Sequence, residues 1–263
     1  GATVVFQDMT ITGGNPGSSA GDHGGGISIF QSTVTLNDVI VTDNRGYEGG
    51  GVALDEGSLT VNNGEITDNV ATRGSGGIGG GGGVSVGIVG GGTSLTAVFN
   101  NVLIQGNDVP NRNRGGGIMQ QEGTITLNNT QILSITSRYG GGIYINRGTV
   151  NQDGGEVGYN EVNVRLNDPR FGGGGIYIFA GTLNSNDAEW HNNISNADGA
   201  AIHVASGEAY LSNVEVHNNV AAQFGGGVHV RNSGAILEVN DSYFHDNAPD
   251  AISIGATSNT TAP

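Results

Sequence analysis

The sequence predicts an all-β solenoid, a parallel β-helix of about ten coils with three short strands per coil over residues 1–255, followed by a polar tail over 256–263. Three observations predict it. A Gly-Gly-(Gly/Ala)-(Ile/Val) signal returns along the chain, an alternating strand follows each signal, and two more strands joined at an Asn-marked corner follow that strand. Each unit is too small to bury its own apolar side, so units of this kind are stable only when stacked. Composition removes the competing classes. The 263 residues hold 50 glycines without a three-residue period, which excludes collagen. No cysteine is present, which excludes a disulfide framework and thiolate metal sites. No apolar run approaches the ~18 residues of a membrane-spanning helix. The formal net charge of -15, with nine Arg and no Lys, argues against nucleic acid or an anionic membrane as partner.

The first strand of each coil begins at Ile27, Val52, Val84, Ile118, Ile143, Ile176, Ile202, Val228 and Ile252, with successive spacings of 25, 32, 34, 25, 33, 26, 26 and 24 residues. Alternation over Ile143-Tyr144-Ile145 or Val228-His229-Val230 marks strands with one buried face. It predicts that Ile27, Val52, Ile143 and Val228 are buried and that Ser28, Tyr144, His203 and His229 are exposed. The second strand reads Val34-Thr35-Leu36, Leu59-Thr60-Val61 and Ile125-Thr126-Leu127. The third reads Val39 to Asn44, Glu65 to Asn69, Val214 to Asn219 and Tyr243 to Asn247. Between them sit Asn37, Asn62-Asn63, Asn100-Asn101, Asn128-Asn129, Asn213 and Asn240, and Asn tolerates the left-handed backbone of a sharp corner. Stacked at ~4.8 Å, ten coils make a rod roughly 45–50 Å long. The extra residues of the long coils fall at 70–81, 107–114 and 161–171, with a further insert from Gly87 to Thr93.

The repeats resemble those of polymorphic outer-membrane and autotransporter-type adhesins, which carry GGA(I/L/V) and FxxN tetrapeptides. The first is matched by Gly49-Gly50-Gly51-Val52 and Gly225-Gly226-Gly227-Val228. The second is literal at Phe244-His245-Asp246-Asn247 and relaxed at Val41-Thr42-Asp43-Asn44, Ile66-Thr67-Asp68-Asn69 and Trp190-His191-Asn192-Asn193. The resemblance implies a right-handed β-helix of the pectin-lyase-like superfamily and a place outside the cell. Enzymes of that superfamily cleave acidic polysaccharides. Polygalacturonase-like members carry Gly-His-Gly and Arg-Ile-Lys, and neither occurs here. Asp43 and Asp68 stack on adjacent coils as a lyase's calcium ligands would, but each adjoins the repeat Asn, and a corner role is the plainer reading. No catalytic residue is assigned, since a shared fold does not carry a shared activity.

Four other constellations deserve weighing. Outward positions of the third strand read Glu189 and His191, Glu215 and His217, then Tyr243 and His245, with Glu156 below. No cofactor is expected, although neutral imidazoles and carboxylates at this spacing would suit a divalent cation such as zinc or copper. The plainer reading is a solvated Glu/His face. Outward positions of the first strand place Tyr144, Tyr177, His203 and His229 in a stripe that would stack on a sugar ring or another protein, or else only on itself. Arg112, Arg114, Arg138, Arg165 and Arg170 concentrate in the middle coils, suited to an anionic glycan or to local pairing with acids and aromatic rings. Asn128, Asn193, Asn240 and Asn259 begin glycosylation sequons.

The end strands, Thr3 to Phe6 and Ile252 to Ile254, read as the outermost first-strand segments, with Val4, Phe6, Ile252 and Ile254 as assembly edges. The expectation is a non-catalytic structural or adhesive protein of the cell surface. The alternatives are a filament or sheath subunit stacking end to end, and a polysaccharide-binding or polysaccharide-cleaving module. Its partners would be other copies of itself, or a glycan or protein of a cell surface.

Overall fold

The computed structural model describes residues 1–17, 23–72, 79–87, 95–110, 114–163 and 172–255. Their backbone forms a parallel β-solenoid, and no helix occurs among the described residues. Nine first strands, Ile27–Ile29 through Ile252–Ile254, stack in one sheet in register, Ile143 against Ile176 and Ile176 against Ile202. Nine stacked strands are separated by eight turns, so the coil count is about eight rather than ten. Coils of 32 to 34 residues absorb the length that shorter coils would have turned into additional layers.

Second and third strands form a single 16-stranded sheet, because Ser32–Thr42 runs unbroken through the corner and pairs with Gly57–Asn62 on one side of it and Glu65–Thr67 on the other. Thr3–Thr12 lies on Ser32–Thr42 in the same way, Val4 against Val34 and Ile11 against Val41. Thr3 to Phe6 is therefore a second strand, not the first strand expected. Apolar alternation is shared by both strand types, and only the partner distinguishes them. A fourth, two-residue strand also closes several coils, as in Thr136–Ser137, Glu161–Val162 and Ile194–Ser195.

The corners are built from residues that tolerate positive φ. Between second and third strands they are Asp8, Asp38, Asn63, Asn101, Asn129, Asp187, Asn213 and Asp241, at φ 47–53°. After the third strand come Asp43, Asp68, Ser134, Tyr159, Asn192, Asn218 and Asp246, at φ 51–57°. Asp43 and Asp68 hold the corner role expected of them. The residue after this second corner is a buried Asn. Asn69 Nδ2 donates to Asn107 Oδ1 at 3.1 Å and Asn193 Nδ2 to Asn219 Oδ1 at 2.9 Å, each also reaching a backbone carbonyl of the preceding coil, Val41 and Val157 respectively. These ladders satisfy peptide groups that turn inward at the corner. Ile135 interrupts the run, and its N–H donates to Asn160 Oδ1 at 3.1 Å.

The Gly-Gly signal has two separate causes. Gly140 sits at φ +57°, where a Cβ would lie 2.0 Å from the Ile143 carbonyl oxygen. Gly141 has ordinary φ, but a Cβ there would lie 2.3 Å from the Gly174 carbonyl oxygen of the next coil. The first glycine permits the turn and the second permits close stacking. Inside, Val52, Ile143 and Val228 belong to one continuous core with Leu36, Phe99, Ile132 and Trp190. Ile27, expected to be buried, is only partly so, because its coil is the first of its sheet; Ser28 is exposed as expected.

Candidate functional site

The outer face of the third strands carries a paired ladder. Glu156, Glu189 and Glu215 stand in one column, and Gly158, His191, His217 and His245 in the next. Gly158 shapes its start, because a Cβ there would lie 2.6 Å from His191 Nε2 and Cε1. The His191 ring therefore leans over bare backbone toward the coil below, where its Nε2 meets Glu156 Oε2 at 3.1 Å. Asn192 Nδ2 donates to His191 Nδ1 at 2.8 Å, which leaves the ring proton on Nε2, facing the carboxylate. His217 repeats the arrangement with Glu189 at 2.8 Å and Asn218 at 2.8 Å. His245 departs from it, because Asp246 replaces the Asn. Its Nδ1 meets Asp246 at 2.8 Å and its Nε2 meets Glu215 at 2.9 Å. A ring between two carboxylates is biased toward its charged form. The Asp246 and Glu215 hydrogen bonds raise the His245 pKa above 6.5, and the His245 hydrogen bond lowers that of Glu215. Along the face His191 stacks on His217 at 5.5 Å and His217 on His245 at 4.9 Å.

Of the residues expected as ligands, the fold gathers Glu189 and His191 with Glu156, their ligand atoms all within 4.8 Å of one another. These three could hold a divalent cation. His217, His245 and Glu215 lie further along as Glu–His pairs.

The outer face of the first strands differs from expectation. Tyr144, Tyr177, His203 and His229 are 2, 4, 0 and 1 % exposed. They do stack in the order expected, Tyr144 on Tyr177 at 5.3 Å and Tyr177 on His203 at 4.9 Å. The stripe is nevertheless covered and presents no surface to a sugar or a partner. The cover comes from residues just before the Gly-Gly signal. Tyr139 packs edge-on against Tyr144 and Tyr177 at 6.2 and 5.8 Å, and Phe224 lies against His229 at 6.0 Å. The Arg114 guanidinium carbon sits 5.0 Å from the Tyr144 ring and 5.3 Å from that of Tyr139. Burial pushes the Tyr144 hydroxyl up to about 12, Arg114 opposing, and raises that of Tyr177 as well.

Beyond the tyrosines the same layer turns polar. Asp198, which occupies the covering position of its coil, is fully buried, with Oδ2 3.8 Å from His229 Nε2. Among the described residues no side chain hydrogen-bonds the side chains of Asp198, His203 or His229; backbone meets the first two, the Phe224 amide at the Asp198 carboxylate and the Asp198 main chain at the His203 ring. Burial raises the Asp198 pKa to about 6, with the Phe224 amide and Arg231 opposing. Burial lowers that of His229 to about 4, helped by Arg231, and lowers that of His203 well below 6.5, helped by His229.

Of the arginines, Arg112, Arg165 and Arg170 lie outside the described residues. Arg114 and Arg138 stack on Tyr139, which is the local reading of the patch. Among the sequons, Asn193 is buried in the Asn ladder with its amide donating to the Val157 and Asn219 oxygens, so it cannot accept a glycan in the folded chain. Asn128 is half-buried and donates to Asn100, Asn240 is exposed, and Asn259 lies outside the described residues. A groove of ≈ 330 Å³ that the sequence did not announce runs over the second strands, lined by Asn128, Asn151, Asp153, Asn184 and Tyr210 among others. The residues missed by pattern reading are Asp198 and Gly158. Their signal was positional, an acid just before a Gly-Ala-Ala-Ile corner and a glycine in a column of large side chains.

No family model, curated protein or solved structure matches this chain.

Proposed function

We propose that this chain is a non-catalytic structural or adhesive rod of the cell surface, and that its terminal coils seat further β-helical coils. The observation that carries the reading is the state of those terminal coils. Ile252 and Ile254 are 38 and 77 % exposed, whereas Val228 and Val230 one coil earlier are 0 and 5 % exposed. Val4, Phe6 and Ile11 at the other end are also incompletely covered. The two ends match in register. Val4, Phe6 and Ile11 with the Asp8 corner occupy the columns of Leu237, Val239 and Phe244 with the Asp241 corner. A last coil placed on a first coil continues both ladder and core.

That match suits further coils of a longer chain, and equally a second reading, a filament in which copies stack end to end. The adhesin-like repeats support placement outside the cell. The Glu/His face supports a non-catalytic role, since its carboxylates are taken up by neighbouring histidines. The amide-lined groove with Tyr210 suits a cell-surface glycan as partner. Electron microscopy and sedimentation of the purified chain test the stacking. Native protein should form rods of several chain lengths that grow with concentration, and Val4→Pro or Ile254→Lys should abolish them while leaving the middle coils folded. A native chain that stays monodisperse at high concentration overturns the stacking.

A further inference from the structure

The outer face of the second strands changes character where its groove lies. Coil by coil, one outward column reads Thr35, Thr60, Val98 and Thr126, and then turns to Asn151, Asn184 and Tyr210. The next outward column runs beside it through Asn128, Asp153 and Asn186. The groove lies between the two columns, from Thr124–Asn128 to Ile236–Asn240. It crosses five strands stacked in register. Four steps of ~4.8 Å make it about 19 Å long, parallel to the rod. From this placement we infer that the groove binds a neutral, unbranched, 1,4-linked pyranose polysaccharide, laid along the rod with one sugar per coil. The inference rests on the reading of a cell-surface glycan as partner and narrows it to one class.

The walls offer hydrogen bonds in the form that sugar hydroxyls take. An amide carries two N–H donors and a carbonyl with two lone pairs. Asn184 Nδ2 donates to Asn151 Oδ1 at 2.8 Å, and Asn186 Nδ2 donates to Asp153 Oδ1 at 3.0 Å. These bonds hold each wall in line and use only part of the amides' capacity. Asn184 and Asn186 are exposed, so the remainder is open at the rim. A vicinal pair of hydroxyls, one donating and one accepting, matches an amide edge. Tyr210 supplies the apolar contact. Its hydroxyl donates to Glu208 Oε2 at 3.2 Å, which fixes the ring as a wall against which the C–H face of a sugar can stack.

Spacing decides between kinds of chain. The walls repeat every ~4.8 Å. An extended peptide presents the same edge every second residue, about 6.4–6.8 Å, and falls out of step within two coils. A 1,4-linked pyranose chain advances by close to one coil height per sugar and keeps step along the groove. Charge decides between glycans. Among the described residues the lining holds one charged side chain, Asp153, and no base. A uronate or sulfated chain would bring its charge beside that carboxylate with nothing to balance it, on a chain of net charge -15. A neutral chain meets no such repulsion. With its rim residues exposed, the groove of ≈ 330 Å³ takes the interior of a polymer from the side rather than a chain end.

Isothermal titration calorimetry of the full chain with cello-, manno- and xylo-oligosaccharides of increasing length tests the inference. At least one series should bind one to one, with an affinity that rises up to about four sugars and then levels off. Tyr210→Ala and Asn184→Ala should each weaken binding of the tetramer ~10-fold, as expected for loss of a stacked ring or of one or two hydrogen bonds. Thr60→Ala, on the same face outside the groove, should leave it unchanged. Melting curves show whether the variants are folded, and the length dependence is read on native protein without any variant. Tetragalacturonate, the anionic counterpart, should not bind. Binding of tetragalacturonate alone overturns the inference and leaves the broader glycan reading standing. Neutral chains that bind folded Tyr210→Ala and Asn184→Ala as tightly as native protein do the same. Failure of every oligosaccharide to bind overturns both.

Discussion

The two outward faces of the solenoid obey the same alternation and reach opposite ends. On the third-strand face, His191, His217 and His245 are met by carboxylates of the preceding coil, and the ladder becomes more open toward its end. On the first-strand face, Tyr144, Tyr177, His203 and His229 are sealed beneath Tyr139, Asp198, Phe224 and their neighbours. Period-2 alternation separates the two sides of a strand. It does not say what lies against the side that faces away from the core. That depends on where the chain goes before it re-enters the strand, and the Gly-Gly corner sends it over the first strands alone. The consequence is energetic as well as geometric. Polar groups on the open face can use water, while those on the covered face must find partners within the protein or within a ligand.

Substitutions can break this comparison or sharpen it. The largest effect should come from the core that both faces share. Ile143→Asp places an unpaired charge among fully buried side chains, and the middle coils should lose cooperative thermal unfolding. Retention of the native melting curve would show the strand register to be wrong. Next comes the contrast between the faces. Tyr144→Ala should cost about 3–5 kcal/mol, the range for deleting a buried aromatic ring, because it removes the stack on Tyr177 and the seat of Arg114. His217→Ala on the open face should cost under about 1 kcal/mol, as for exposed ion pairs. Denaturant unfolding of the two variants measures the difference, and equal costs would mean that the cover is not formed in solution.

The smallest effect is a pH response at the open end of the ladder. His245, raised above 6.5 by Asp246 and Glu215, contributes stability that is fully present below the pKa of an unfolded histidine and is lost as pH rises through its own. Glu215, lowered by His245, contributes stability that is present above the usual carboxylate range and is lost as pH falls through its own value. The last coil should therefore hold best between the two. An NMR titration should find the His245 midpoint above 6.5, and Asp246→Asn should bring it down. A native midpoint at or below 6.5 would mean that the carboxylates do not flank the ring.

Much of the fold was legible because a solenoid writes its geometry into short-range pattern. The Gly-Gly signal, the alternating triplets at Ile143 and Val228 and the corner residues at Asp43 and Asp68 each have a local cause in backbone sterics or in strand pleat. The Glu/His ladder was legible too, since in-register stacking follows once the repeats are aligned. Less legible was the strand type of Thr3 to Phe6, because apolar alternation alone does not name the sheet a strand joins.

The amino-acid sequence by itself thus determined the parallel stacking, the interior columns and which side chains become neighbours along each column. These follow from local conformational preference and from a repeat that must bury its apolar side on its own kind. Tertiary structure alone decided the number of turns, the burial of the tyrosine and histidine stripe, and the meeting of Asp198 with His229. Those depend on how coils of unequal length lay their connecting residues across a neighbouring face. The path is set by packing between segments some thirty residues apart, and no local pattern encodes it.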